Sequence, residues 1–177
     1  MRDDVTGDGR ADSESAAEDR PADAVRGRFV VTHADDDSAV LKAVDGGQVH
    51  TLATNPGVEA DDIVEATLAP EPPMEVTWRV VDLESRRALS IERSPEPPTG
   101  PAYDLAADQP VGEVTRRERA GEGELHVLTL EPGSVADAAE EVAEDEATRT
   151  VAARVDARRV ELRLDDEEGV LSVRYLP

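Results

Sequence analysis

Between residues 28 and 92 the chain offers short Val-rich segments separated only by turn residues, and this pattern constrains the fold most. Segments 28–33 (RFVVTH) and 38–44 (SAVLKAV) flank Ala34-Asp35-Asp36-Asp37, which predicts a hairpin. Gly46-Gly47 turns the chain into 48–52 (QVHTL), and Asn55-Pro56-Gly57 closes that strand. Segment 62–68 (DIVEATL) alternates as a strand. Pro70, Pro72 and Pro73 then interrupt the ladder, because Pro has no N–H to donate. Segment 75–83 (EVTWRVVDL) aligns Val76, Trp78 and Val80 on one strand face, and 87–92 (RALSIE) returns after Glu84-Ser85-Arg86. Five or six short strands without a helical interruption predict a small barrel or a strongly curved sheet.

The flanks differ in chemistry. Residues 1–26 are dense in Asp, Glu and Arg and contain no aromatic residue, so they cannot bury enough surface to offset their ordering entropy. They read as a disordered acidic tail. Residues 94–101 (SPEPPTGP) read as an extended Pro-rich linker. The motif Pro-Glu-Pro-Pro occurs at 70–73 and again at 95–98, too short to count as a structural repeat. Beyond the linker a short helix is expected around Tyr103–Ala107 and a strand over 123–130. Ser134 is placed to cap a helix with Val135, Ala138, Ala139 and Val142 on one face. Ala147, Val151 and Val155 mark a second helical piece over 146–155. Strands at 158–164 and 170–175 flank the turn Asp165–Gly169. The expected fold is therefore α+β: a small OB-like barrel module over 27–93, the linker 94–101, and a βααββ module over 102–177.

Composition narrows the function classes. Asp and Glu number 41 against 19 Lys and Arg, a net charge of −22, and Lys42 is the only Lys. Such a surface repels itself in dilute buffer and is screened in molar salt, where the Debye length is about 3 Å. The pattern suits a salt-loving cytoplasm. The absence of Cys excludes thiolate metal sites and thiol nucleophiles. No apolar run reaches the roughly 20 residues of a membrane span, and no apolar stretch of signal-peptide type opens the chain, so a cytoplasmic protein is expected.

The candidate sites are few. Asp4–Asp12 has the acidic spacing of a calcium loop, but Thr6 and Ser15 stand where ligands belong, and no apolar helix flanks it. His33 with Asp35, Asp36 and Asp37 offers an imidazole and three carboxylates, the basis for a metal-binding or enzymatic alternative; a solvated hairpin tip is the plainer reading. His50 and His126 fall inside strands, where a partly buried, hydrogen-bonded His is the ordinary expectation. The neighbours Thr32-His33 and His50-Thr51 point to opposite strand faces, which opposes a nucleophile–base pair. No phosphate loop follows a strand, and nothing calls for a cofactor. Arg116, Arg117 and Arg119 form the densest basic cluster, with Arg86-Arg87 and Arg158-Arg159 as smaller ones. Ion pairing within the chain competes with phosphate binding for all of them. Trp78 and Phe29 are the aromatic residues available for stacking a base, or for the core.

Several stretches resemble a family of small acidic haloarchaeal proteins of uncharacterised function: Gly27–Asp35, Gly47–Leu52, Pro70–Trp78, Arg119–Leu128 and Val173–Pro177. The resemblance covers residues 27–177 and leaves out the tail. It implies a halophilic source and assigns no catalytic or binding residue.

The favoured function is a non-enzymatic binding or adaptor protein with a protein partner and no membrane. An OB-like RNA- or DNA-associated factor using Arg116, Arg117, Arg119 and Trp78 is the alternative, disfavoured because phosphate contacts weaken steeply with salt. The charge balance makes its own prediction: the unfolding midpoint rises from dilute buffer to molar KCl, followed by circular dichroism. A midpoint that does not move contradicts the account of the acidic surface.

Overall fold

The computed structural model describes residues 21–119 and 121–177. Among these residues the fold is mixed α+β, with a closed five-stranded barrel, a second five-stranded sheet and three helices. The calcium-like loop Asp4–Asp12 and most of the acidic tail lie outside the described residues. The expected end of the tail is corrected, because Val25 and Arg26 already belong to β1 (Val25–Ala34) and pair with Leu68 and Thr67.

The barrel comprises β1, β2 (Ala39–Ala43), β3 (Val49–Leu52), β4 (Asp62–Pro70) and β5 (Trp78–Ala88), in the order β1-β2-β3-β5-β4. β3 meets β5 in parallel through Leu52 and Trp78, and β4 closes onto β1 antiparallel. Phe29, Val31, Leu41, Leu52, Val64, Ala66 and Leu68 fill the interior. Val30 and Ile63 alternate outward, yet they are buried too, in a second core beneath the other sheet. β1 and β4 are thus apolar on both faces, which is why their sequences run Phe-Val-Val and Ile-Val without a polar break.

Two strand readings are revised. Glu84-Ser85-Arg86 is not a turn: β5 continues through it, paired with β4 from Trp78 to Ala88. The returning strand is β6 (Ser90–Arg93), and it leaves the barrel to pair in parallel with a strand over Arg159–Asp165.

The second sheet has the order β6-β9-β10-β8-β7, from β7 (Val114–Glu118), β8 (Glu124–Thr129), β9 (Arg159–Asp165) and β10 (Val170–Leu176). β7 is a strand that the expected βααββ order lacks, because its exposed sequence shows no apolar alternation. The Pro-rich stretch is tied along β9: Ser94 donates to the Leu162 carbonyl at 2.8 Å, and Arg163 pairs with Glu96. α1 (Gly100–Ala107) covers one face with Ala102, Leu105 and Ala106 on Val127 and Val170. α2 (Val135–Glu144) and α3 (Glu146–Arg154) cover the other. Ser134 does not cap α2 through its hydroxyl, which donates to the Glu131 carbonyl; Asp166 accepts the Val135 N–H instead. Asp145 caps α3 by accepting from Ala147. Gly169 is forced by space, because at φ +67° a Cβ would stand 2.1 Å from the Leu130 carbonyl oxygen. Among the described residues no helix is long and apolar enough to cross a membrane.

Candidate functional site

Barrel and second sheet meet around α3. Ala152 and Ala153 bury themselves in the core shared with Val30, Val44, Ile63 and Leu89. The end of α3 exposes carbonyls that no further turn can satisfy. Arg28 donates to the Ala153 carbonyl at 2.6 Å and Arg87 at 3.4 Å, and both reach Asp156. Arg149 binds Asp61 on the barrel side. These contacts fix the angle at which α3 crosses the barrel and so set the space beside it.

That space is a groove walled by α3, by the turn between β2 and β3, and by the face of β7 and β8 that carries Arg116 and His126. Its two lobes, of about 590 and 270 Å³, share Arg116, Val151 and Arg154. Strand alternation sets Arg116 on the same face as His126, its Cα partner on β8. Val151 and Arg154 share a helical face at i, i+3. Arg116 and Arg117 make no ion pair with any described residue, and Arg154 donates only to the Val44 carbonyl at 3.2 Å. Of the acids that line the lobes, Glu146 holds Lys42 at 2.6 Å, Glu124 holds His126 at 2.8 Å and Asp145 caps α3, while Glu118 lines the smaller lobe without an ion pair among the described residues. β7 is also an edge strand, and charges on an edge discourage unwanted pairing. Edge protection accounts for charge on β7 but not for Arg154 on a separate element.

Three of the four arginines in the other basic pairs are held internally, and Arg158 is exposed without an ion pair among the described residues. Arg86 binds the buried Asp62, Arg87 binds Asp156, and Arg159 reaches Glu92 and Glu161. Glu161 also takes Arg163 and Arg174. Burial raises its carboxyl, but these two guanidinium hydrogen bonds outweigh it and hold the group below the usual range. Arg119 donates to the Glu122 carbonyl and does not line the groove lobes around Arg116.

Trp78 stands elsewhere. It is half-buried in the barrel wall, paired with Leu52 at the end of β3 away from the turn that lines the groove. Arg116 and Trp78 are therefore not brought together. At this end of the barrel, segment 53–55 ties two loops: Ala53 donates to the Trp78 carbonyl and Asn55 to that of Asp37. The rim so formed joins the 35–38 turn to the 71–77 loop. The loop is closed by Glu71 N–H to Thr77 at 2.8 Å and Glu75 N–H to Glu71 at 2.9 Å. It holds Met74 76% and Val76 70% exposed, so Val76 does not join Trp78 and Val80 on a strand face.

The three His do not converge. His33 is exposed at the end of β1, 3.7 Å from Asp35. Asp35 accepts from the Asp37 and Ser38 N–H groups and from the Ser38 hydroxyl, and these hydrogen bonds hold its carboxyl below its ordinary value. Its oxygens serve the turn. Among the described residues no group of three His, Asp or Glu is arranged to hold a metal ion. His126 lies in the second sheet against Tyr175. His50 departs from expectation: it is 1% exposed inside the barrel, between Phe29 and Trp78 at ring distances of 5.6 and 4.4 Å, with neither ring nitrogen hydrogen-bonded.

Residues 25–164 match the profile of DUF5812, a family of unknown function, and the chain belongs to that family. No curated protein and no solved structure matches it.

Burial pushes the His50 imidazolium below its ordinary value, so the folded state favours the neutral ring. The unfolded chain binds that proton below about pH 6.5, hence the stabilising difference is whole above this pH and is lost as pH falls. Urea unfolding at pH 7 and pH 5 is expected to show wild type losing up to about 1.4 kcal/mol per pH unit more than His50→Leu. Equal losses contradict a neutral buried His50.

Proposed function

We propose that this chain is a non-enzymatic binding or adaptor protein of a halophile's cytoplasm, and that a protein partner docks on the rim of its barrel. One observation carries the reading: a short hydrogen-bonded loop holds Met74 and Val76 in water beside Trp78. Large apolar side chains held out on a closed loop mark an interaction surface more than a folding need. The loop is already ordered, which reduces the entropy lost on docking.

The strand order β1-β2-β3-β5-β4 supports an OB-like reading, in which ligands meet the β1–β2 and β4–β5 loops. Here those loops carry Asp35, Asp36 and Asp37 on one side and Glu71 and Glu75 on the other. Arg79, next to Trp78, supplies a single cation. This rim repels phosphate, which disfavours RNA or DNA as the ligand. It complements a protein segment with an apolar anchor flanked by basic residues. At molar salt the charges are screened and the apolar anchor carries the contact. The haloarchaeal origin that the resemblance implies fits this division of labour.

The test is native purification of the full chain in molar KCl, then titration of the recovered partner against labelled protein. The account expects a stoichiometric protein whose binding shifts resonances of residues 35–38 and 71–78. Met74→Ser with Val76→Ser is expected to weaken it about a hundredfold, since two buried apolar contacts are lost, while the melting temperature stays unchanged. Recovery of RNA, or of a partner indifferent to the double variant, sinks the reading.

A further inference from the structure

The groove beside α3 lies away from the barrel rim and has a different chemistry. Two guanidinium groups from unrelated parts of the chain, Arg116 on β7 and Arg154 at the end of α3, line the same two lobes. Neither has a carboxylate partner among the described residues, in a chain with 41 acidic residues against 19 basic ones. Of the carboxylates that line the lobes, those of Glu146, Glu124 and Asp145 are bound to Lys42, to His126 and to the first turn of α3. Glu118 and Glu124 face each other across β7 and β8, and so place the acidic end of the smaller lobe beyond Arg116. The Arg154 hydrogen bond to Val44 and the packing of α3 restrain the position of one cation, and the β7–β8 ladder restrains the backbone of the other.

We propose that this groove binds the phosphate dianion of a small ligand, gripped between Arg116 and Arg154. A carboxylate is saturated by one guanidinium fork. A phosphate offers more acceptor oxygens and up to two negative charges, enough for both forks. Val44, Ala147 and Val151 give the larger lobe an apolar wall for the body of a phosphate ester. No Phe, Tyr or Trp lines either lobe, and the one imidazole, His126, is buried against Tyr175 and bound to Glu124, so the groove offers no open ring face for a nucleobase. Free phosphate and a non-aromatic phosphate monoester share the recognised chemistry.

The full chain is titrated with inorganic phosphate, with glycerol 3-phosphate and with acetate at constant ionic strength, by calorimetry and by amide and arginine Nε–H resonances. The expected result is saturable binding of at least one phosphate compound, with shifts confined to the β2–β3 turn, β7 and α3. Tighter binding of the inorganic ion identifies free phosphate as the source, and tighter binding of the ester identifies a monoester. Arg116→Ala, on an exposed strand, is expected to weaken binding about tenfold, as is Arg154→Lys, which keeps the charge but loses the fork. Arg79→Ala and the Met74, Val76 double variant are expected to leave it unchanged, so the rim and the groove stand or fall separately. Absence of saturation by both phosphates, equal binding of acetate, or indifference to Arg116→Ala overturns the proposal.

Discussion

The seating of α3 on the outer wall of the barrel is the contact on which the rest depends. Val30, Val44, Ile63 and Leu89 supply the barrel side, and Ala152, Ala153 and Ala157 the other. Full burial of one Val, Ile or Leu side chain is worth about 1.5–3 kcal/mol, whereas an exposed ion pair such as Lys42–Glu146 contributes about 0–1 kcal/mol. The apolar seat therefore outweighs the charged contacts in energy, and the charges set direction. Arg28 and Arg87 hold the carbonyl end of α3, where the helix dipole favours cations. Small residues at 152 and 153 let the helix approach closely, and that approach brings Arg154 level with β7.

Two surfaces with opposite character result. The barrel rim combines carboxylates with exposed apolar side chains, and the groove sets guanidinium groups that have no carboxylate partner among the described residues beside a short apolar wall. Elsewhere the arginines are largely spent on the acids, as Glu161 with Arg163 and Arg174 illustrates. A chain this acidic has no shortage of carboxylates for its arginines. An arginine left without one reflects geometry, because the β7–β8 ladder and the α3 seat aim Arg116 and Arg154 at the same empty space.

Much of this fold was legible in the sequence because the barrel strands obey simple rules. The Asp35–Ser38 turn, the Gly46-Gly47 hairpin and the paired apolar runs of β1 and β4 announce themselves. What stayed hidden shares a cause. β7 reads Val-Thr-Arg-Arg-Glu, an exposed edge strand with no apolar alternation to betray it. β5 passes through Glu84-Ser85-Arg86, which looks like a turn because this part of the strand is solvated. β6 pairs with a strand nearly seventy positions away, which no local pattern records. The candidate sites followed the same division. Arg116 was visible as part of a cluster, but Arg154 was not. Its only local signal is its place three residues after Val151, and the partner that gives it meaning sits on another element. Val76 was visible as an apolar residue and was misplaced, since strand alternation assigned it to the face of Trp78 while the loop turns it out to solvent; Met74 beside it had no pattern to single it out.

Native-state hydrogen exchange of the full chain tests the central claim, that barrel and second sheet form one cooperative body through α3. The account predicts that the slowest amides of β1 and β4 share one opening free energy with those of β9 and β10, since each of these strands loses one of its buried faces if α3 lifts away. Barrel amides that exchange through a separate, lower opening while β9 and β10 stay protected would contradict it.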